Sequence, residues 1–376
     1  MNSHGTQRRI HGWIAAGQQW LHRFQRFQGL QRLRAPQSHP IAIQPRGNVP
    51  APRARASTAV AMLALAVAPL SVAPAHAEEW PRKPIRLVVP FASGGATDLL
   101  ARAVALELGK QWNQPVVVDN RPGAGGAVGA EVVAKSAPDG YTLLLASGSM
   151  FTVNPLIYQK LPYSEQSFEM IGKVASGPMV VTINTKVPAK TMTELIAYAK
   201  GNPGKLTFAS AGNGSQVHIA SEAFAEAAGI DVVHIPYKGE GPAYSDLMAG
   251  TVDMTVGNIN AISPLLKGGR LRALAVTGKE RSPLLPDVPT ASEAGLQGFS
   301  FHGWFALMAP AGTPKELTAK MYADLENATA EPGMQRYLAT QGMTRTLTPK
   351  GPLREEIAQE FGRWKPLVAK RKISAN

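Results

Sequence analysis

The sequence predicts an α/β protein with largely parallel sheets, and three observations carry that expectation. From Ile85 onward, short runs of β-branched residues alternate with amphipathic helical stretches. One device, a strand followed by a glycine-containing loop and a helix, recurs at 91–98, 121–129, 210–218 and 237–242. The helical stretches carry their own start and stop signals, so the alternation is punctuated locally and not only by composition.

Each element follows from its residues. "IRLVVP" is the first strand, and Leu99, Ala103 and Leu106, with Leu100 and Val104 beside them, form an apolar helix stripe after it. "PVVVDN" is a second strand, "GAVGAEVVAKSA" a helix, and "YTLLLAS" a third strand. "MVVTINTK" is another strand. "TMTELIAYAKG" then opens on a capping box, Thr191 with Glu194, and stops at Gly201. "KLTFASAG" and "VVHIPYKG" are strands that run into glycine-rich turns. "PAYSDLMAG" is a helix with Pro242 early and Gly250 as its stop. "TVDMTVGN" and "LRALAVTG" follow as strands. "TPKELTAKMYADLENATA" begins with a second box, Thr313 with Glu316, and "GPLREEIAQEFGRWKPLVAK" closes the chain as an amphipathic helix.

The 376 residues carry a formal charge of +13, which suggests a polyanion partner until the charge is located. Nine of the 39 basic residues lie in 1–77, a stretch without Asp or Glu, leaving 30 against all 26 acids. The basicity belongs to the leader, and a nucleic-acid face is not expected. Within that leader, Arg53 and Arg55 precede the apolar run 59–67, and Ala75-His76-Ala77 forms a small-residue cleavage signal. We therefore expect an Arg-rich leader plus secretory signal peptide over 1–77, cut after Ala77. Pro69 and Pro74 interrupt a run already too short to span a bilayer. The absence of Cys excludes disulfide and thiolate chemistry and suits an oxidising compartment.

The bare loop "FASGGAT" is informative because it holds no Lys or Arg. The first amides of a helix lack intrahelical partners, and the helix dipole favours an anion there. Gly94 and Gly95 would let such an anion approach the backbone, with Ser93 and Thr97 adding hydroxyls. The other reading is a turn that needs a positive φ. Asp98, in the first turn, either caps the helix or braces the loop. Nucleotide motifs fail on spacing: Val128 and Val217 stand where a dinucleotide fingerprint needs its third glycine, and no P-loop exists. No nucleophile elbow or H-E-x-x-H appears, so neither catalytic residues, metal nor cofactor are expected. Ser210, Ser215 and His218 are close in sequence, which does not make a triad.

Five segments then point further: "WPRKPIRLVVPFASGGATDLLAR", "VVVDNRPGAGGAVGAEVVAKSAPDGYTLL", "HIPYKGEGPAYSDLMAGTVDM", "GRLRALAVTGKERSPLLPDVPTASEAG" and "APAGTPKELTAKM". In this order, and across nearly all of 80–370, the chain resembles the substrate-binding receptors of tripartite tricarboxylate transporters, the Bug family. The resemblance implies a two-lobed periplasmic-binding-protein fold of the Venus-flytrap, type II-like kind, each lobe a mostly parallel sheet flanked by helices. Chain crossings near 174–181 and 301–305 would give lobe one as 78–178 with 304–376, and lobe two as 179–303. It implies a periplasmic receptor, not an enzyme and expected to be a monomer, that holds a small organic carboxylate and hands it to membrane permease subunits. The alternatives are an enzyme using the same cleft or a ligand-sensing partner of a signalling protein.

The resemblance places the carboxylate among backbone amides and waters. It assigns the first loop (Phe91, Ala92, Ser93, Gly94, Gly95, Ala96, Thr97), Ser149 after the third strand, and Ser210, Gly212, Asn213, Gly214, Ser215 and His218 on the facing lobe. Tyr237, Lys238 and Gly239 of the "PYKG" loop and Asn258 complete the set. Lys238 is either the partner of a second carboxylate or a solvated lysine. Phe91, Tyr237 and Trp304 either wall the pocket or pack the hinge, and Arg121 holds its own loop.

Overall fold

A computed structural model of the chain describes residues 80–375, so the expected leader and its cleavage site lie outside the described residues. The first part alternates as the sequence reads: β1 (Ile85–Val89), α1 (Ala96–Trp112), β2 (Val116–Asn120), α2 (Ala127–Ala134) and β3 (Thr142–Ser147). Two short helices, α3 (Ser149–Thr152) and α4 (Asn154–Ile157), lead to β4 (Phe168–Asn184). Next come α5 (Met192–Gly201), β5 (Thr207–Ser210), α6 (Gln216–Ala228), β6 (Val233–Pro236), α7 (Glu240–Ala249), β7 (Met254–Asn258), α8 (Ile259–Leu266) and β8 (Leu271–Val276). β9 (His302–Pro310), α9 (Lys315–Ala330), α10 (Pro332–Thr340), β10 (Thr344–Pro349) and α11 (Lys350–Lys370) end the chain.

The strands join in the order β2-β1-β3-β9-β4-β7-β5-β6, with β8 and β10 also paired to β4. Parallel pairing holds on the two wings, β1 with β2 and β3, and β5 with β6 and β7. The middle is antiparallel, because β4 and β9 carry the chain between wings in opposite directions. Along β4 the partners change: residues up to Pro178 pair with β9, and those from Met179 onward pair with β7 and β8. All four strand–loop–helix devices therefore open at the carboxyl ends of parallel strands, where open α/β sheets hold ligands.

Three expectations need correction. The buried stripe of α1 runs through Leu100, Val104 and Leu108 with Ala101, Ala105 and Trp112, while Leu106 is 61% exposed. At α9 the expected Thr313–Glu316 box does not form: Pro314 is the cap residue, and the Thr313 hydroxyl donates to the Pro310 carbonyl at 2.8 Å. The first box forms only by half: the Thr191 hydroxyl accepts from the Glu194 amide at 3.2 Å, but the Glu194 carboxylate accepts from the amide of Lys190 at 2.7 Å and not from that of Thr191.

One core cluster packs α1 and α9 against the first wing through Leu87, Leu100, Leu143, Leu307, Met321 and Leu325. Another buries Ile183, Leu195, Phe208, Phe224 and Val256 in the second. The end of α11 joins that second cluster. Trp364 stacks on Phe301 with centroids 5.2 Å apart, and Arg371 pairs with Glu222 at 2.7 Å.

Candidate functional site

The first loop is shaped by its acid. Asp98 accepts from the Gly94 amide at 3.0 Å, from Arg102 through two nitrogens at 2.9 and 3.0 Å, and from Asn120 at 3.0 Å. Burial alone would raise the Asp98 carboxyl, but the hydrogen bonds from Arg102, Gly94 and Asn120 outweigh it and hold the group below its ordinary range. Asp98 thus braces the loop. The two readings of the glycine pair divide between its members. Gly94 sits at φ +83, the conformation that favours glycine, with open space around it. Gly95 has an ordinary extended backbone, but a Cβ there would lie 2.9 Å from Glu240 Oε2.

Glu240, the first residue of α7, is the feature the sequence reading missed. Its side chain crosses to the first loop, where Oε2 accepts from the Ala96 amide at 2.5 Å. Oε1 accepts from the Tyr244 hydroxyl and from Asn258 Nδ2, both at 2.7 Å. Burial first, and the Glu240 carboxylate second, push the Tyr244 phenol well above its ordinary range, so it keeps the proton it donates. The helix start that was read as waiting for an anion already carries one, supplied by the protein.

Beside this carboxylate lies a narrow space of about 10 Å³, lined by Phe91, Gly95, Thr97, Ser147, Ala211, Ser215, Gln216, Val217, Glu240 and Asn258. That is room for about one water molecule. The lining holds no Lys, Arg or His. Phe91, Gly95, Thr97, Ser215 and Asn258 are the sequence-assigned residues that meet here, and Ala96 joins them through its amide. Ser147, Gln216, Ala211 and Val217 were not foreseen. Gln216 Oε1 accepts from the Trp304 amide at 2.7 Å, tying the start of α6 to β9.

The remaining assigned residues lie elsewhere. Gly212, Asn213, Tyr237 and Lys238 line an outer groove of about 540 Å³, with Gly125, Tyr158 and Pro242. Lys238 is exposed, and the Tyr237 hydroxyl donates to Asp246 at 2.7 Å. Ala92 donates its amide to the Lys238 carbonyl at 3.1 Å, and Gly239 packs against Ala92. Ser93 and Gly94 face solvent, and Ser149 is buried with its hydroxyl 3.3 Å from that of Ser147. Trp304 is buried, donating its indole N–H to Glu360 at 3.0 Å, and Arg121 pairs with Asp119 at 2.9 Å. A larger hollow, about 680 Å³, runs along α1 and the edge strand β2, away from these loops.

Behind the wall, His218 and His234 stack with ring centroids 3.9 Å apart, His234 in turn on Phe208 at 4.7 Å. The Gly214 amide donates to His218 Nδ1 at 3.0 Å. Desolvation, with the neighbouring His234, holds His218 well below its ordinary value, and burial lowers His234 to about 4. Ser210 Oγ is 2.6 Å from His234 Nε2, the spacing of a nucleophile and its base. Ser210 is wholly buried, however, and a histidine with so low a pKa is a poor base at neutral pH. Among the described residues no cluster of three His, Cys, Asp or Glu could hold a metal, and no helix is long and apolar enough to cross a membrane.

Residues 100–373 match the model of the "Tripartite tricarboxylate transporter family receptor". Protein BugT of Bordetella pertussis is 38% identical over 298 residues, covering 79% of this chain and 91% of that protein. Two solved structures are also similar. The periplasmic binding protein BugD gives a TM-score of 0.75 at 34% identity, covering 78% of this chain and 99% of its own. Rpa4515 of R. palustris, solved with adipate, gives 0.76 at 32%, covering 79% and 99%.

Proposed function

The chain belongs to the tripartite tricarboxylate transporter receptors of the Bug family, with the periplasmic-binding-protein fold, and from that premise we propose that it captures a small organic carboxylate between two lobes. Lobe one would be 78–178 with 304–376 and lobe two 179–303, closing on the acid and presenting it to membrane permease subunits. The observation that supports this most is the amide of Ala96, which holds a carboxylate at 2.5 Å with no cation in the cavity lining. The same N–H, with Asn258 and the loop hydroxyls of Thr97, Ser147 and Ser215 nearby, offers neutral donors to replace an acid's lost hydration. Closure follows because contacts across the loops exist only when both sides meet, so a ligand that adds to them shifts the population.

Native mass spectrometry of the purified protein with adipate, citrate, succinate and neutral analogues tests the proposal. The expected outcome is a one-to-one complex with an acid, released unchanged. Steady conversion of the acid to a new mass would replace the receptor reading with an enzyme.

A further inference from the structure

The position of Glu240 deepens this reading, and the following rests on it. One amide hydrogen serves one acceptor well, and the Ala96 N–H is already committed to Glu240. Asn258 and Tyr244, both on the Glu240 side of the contact, orient the same carboxylate toward the loop. The loop in turn is cut back to glycine where the carboxylate arrives, since a Cβ on residue 95 would lie 3.1 Å from Glu240 Cβ as well as 2.9 Å from its oxygen. The space left beside it, about 10 Å³, admits no organic acid. Two carboxylates side by side at a buried contact whose lining has no cation also repel, each disfavouring the other's charge.

We infer that Glu240 is a built-in competitor: its carboxylate takes the ligand's place on the Ala96 amide and must be expelled before an external acid binds. An incoming carboxylate then inherits the donors that Glu240 gives up, the Ala96 amide, the Asn258 side-chain amide and the Tyr244 hydroxyl. Glu240 thereby sets an affinity threshold. A compound that makes fewer contacts than the glutamate itself does not displace it, so the residue discriminates among acids without adding a contact to any of them.

The test compares wild type with Glu240→Ala and Glu240→Gln, using isothermal titration with adipate, citrate and succinate, and amide hydrogen exchange of the 95–97 segment without ligand. Glu240→Gln preserves shape and serves if the alanine variant folds poorly. Both variants are expected to bind the acid that wild type accepts more tightly, by roughly tenfold to a hundredfold in the alanine case, the worth of one charge-assisted hydrogen bond. The Ala96 amide is expected to be protected in ligand-free wild type and to exchange faster in Glu240→Ala. Unchanged or weaker binding in both variants overturns the inference, as does an Ala96 amide that exchanges equally fast in wild type. If no protein binds any of the acids, the receptor reading fails instead, and the exchange comparison alone decides whether Glu240 occupies the amide.

Discussion

A single side chain reaching across the loops explains more of this site than its motif does. "KGEGPA" displays Glu240 in plain view, and its place in the first turn of a helix is what a dipole favours anyway. Nothing local says that its oxygen meets an amide 144 residues earlier, because that contact depends on how the loops meet. Gly94 and Gly95 were equally ambiguous in sequence, since a conformational demand and a steric one select the same residue. The histidine pair was legible only as two scattered imidazoles, yet its burial makes a pH prediction. His234, with a folded value near 4 against about 6.5 unfolded, and His218, also lowered, both resist protonation in the folded state. Their contribution is complete above about pH 6.5 and is lost as pH falls toward 4, with a slope of up to about 1.4 kcal/mol per pH unit for each ring. Glu222 Oε1, 3.8 Å from His218 Nε2, is itself paired with Arg371 and does not rescue the ring's charge. Urea midpoints measured from pH 7 to 4.5 should decline in wild type and decline less in His234→Asn. Parallel curves would show that the stack is not the titrating element.

Helices and strands were read well where periodicity faces one layer and poorly where it does not. The four strand–loop–helix devices all appear where the sequence put them, because glycine-rich turns are a local property. The stripe of α1 is displaced by about one residue: Leu100 and Val104 are buried as expected, but leucines at 99 and 106 only satisfy the spacing, and the small residues Ala101 and Ala105 mark the buried face. A matched pair of substitutions follows. Leu100→Ala should cost about 2–5 kcal/mol of unfolding free energy, and Leu106→Ala less than about 0.5 kcal/mol. Denaturant titration of both checks this, and comparable losses would contradict the observed face. β4 was foreseen only from Met179, and β9 and β10 were not read as strands. The cause is visible in "FEMIGKVASGPMVVTIN", where Gly172, Gly177 and Pro178 interrupt a run that is buried on both faces and so lacks alternation. Such strands are recognised by their partners, and the partners of β4 lie far away in sequence.

At the scale of the whole molecule, β4 belongs to the hydrogen-bond ladders of both wings, and the end of α11 packs on the second wing after starting beside β10. Neither wing is therefore complete without residues that the other also uses. Calorimetry of the ligand-free protein should show one transition whose van't Hoff and calorimetric enthalpies agree, as for a single cooperative unit. Two resolved transitions would mean that the shared strand transmits little. The antiparallel centre also explains why a sequence reading finds parallel wings and overlooks what joins them. Strand–helix repeats announce themselves locally, whereas β3 meets β9 only through remote pairs, from Leu144 with Met308 to Ser147 with Phe305. That remote pairing bears on how the protein is made. Until synthesis has passed residue 308, β3 has an open edge and the first sheet cannot close, and contacts of such sequence separation form slowly. A chain halted before β9 is made therefore leaves β3 with ladder groups unpaired along one side, a template for pairing with another chain.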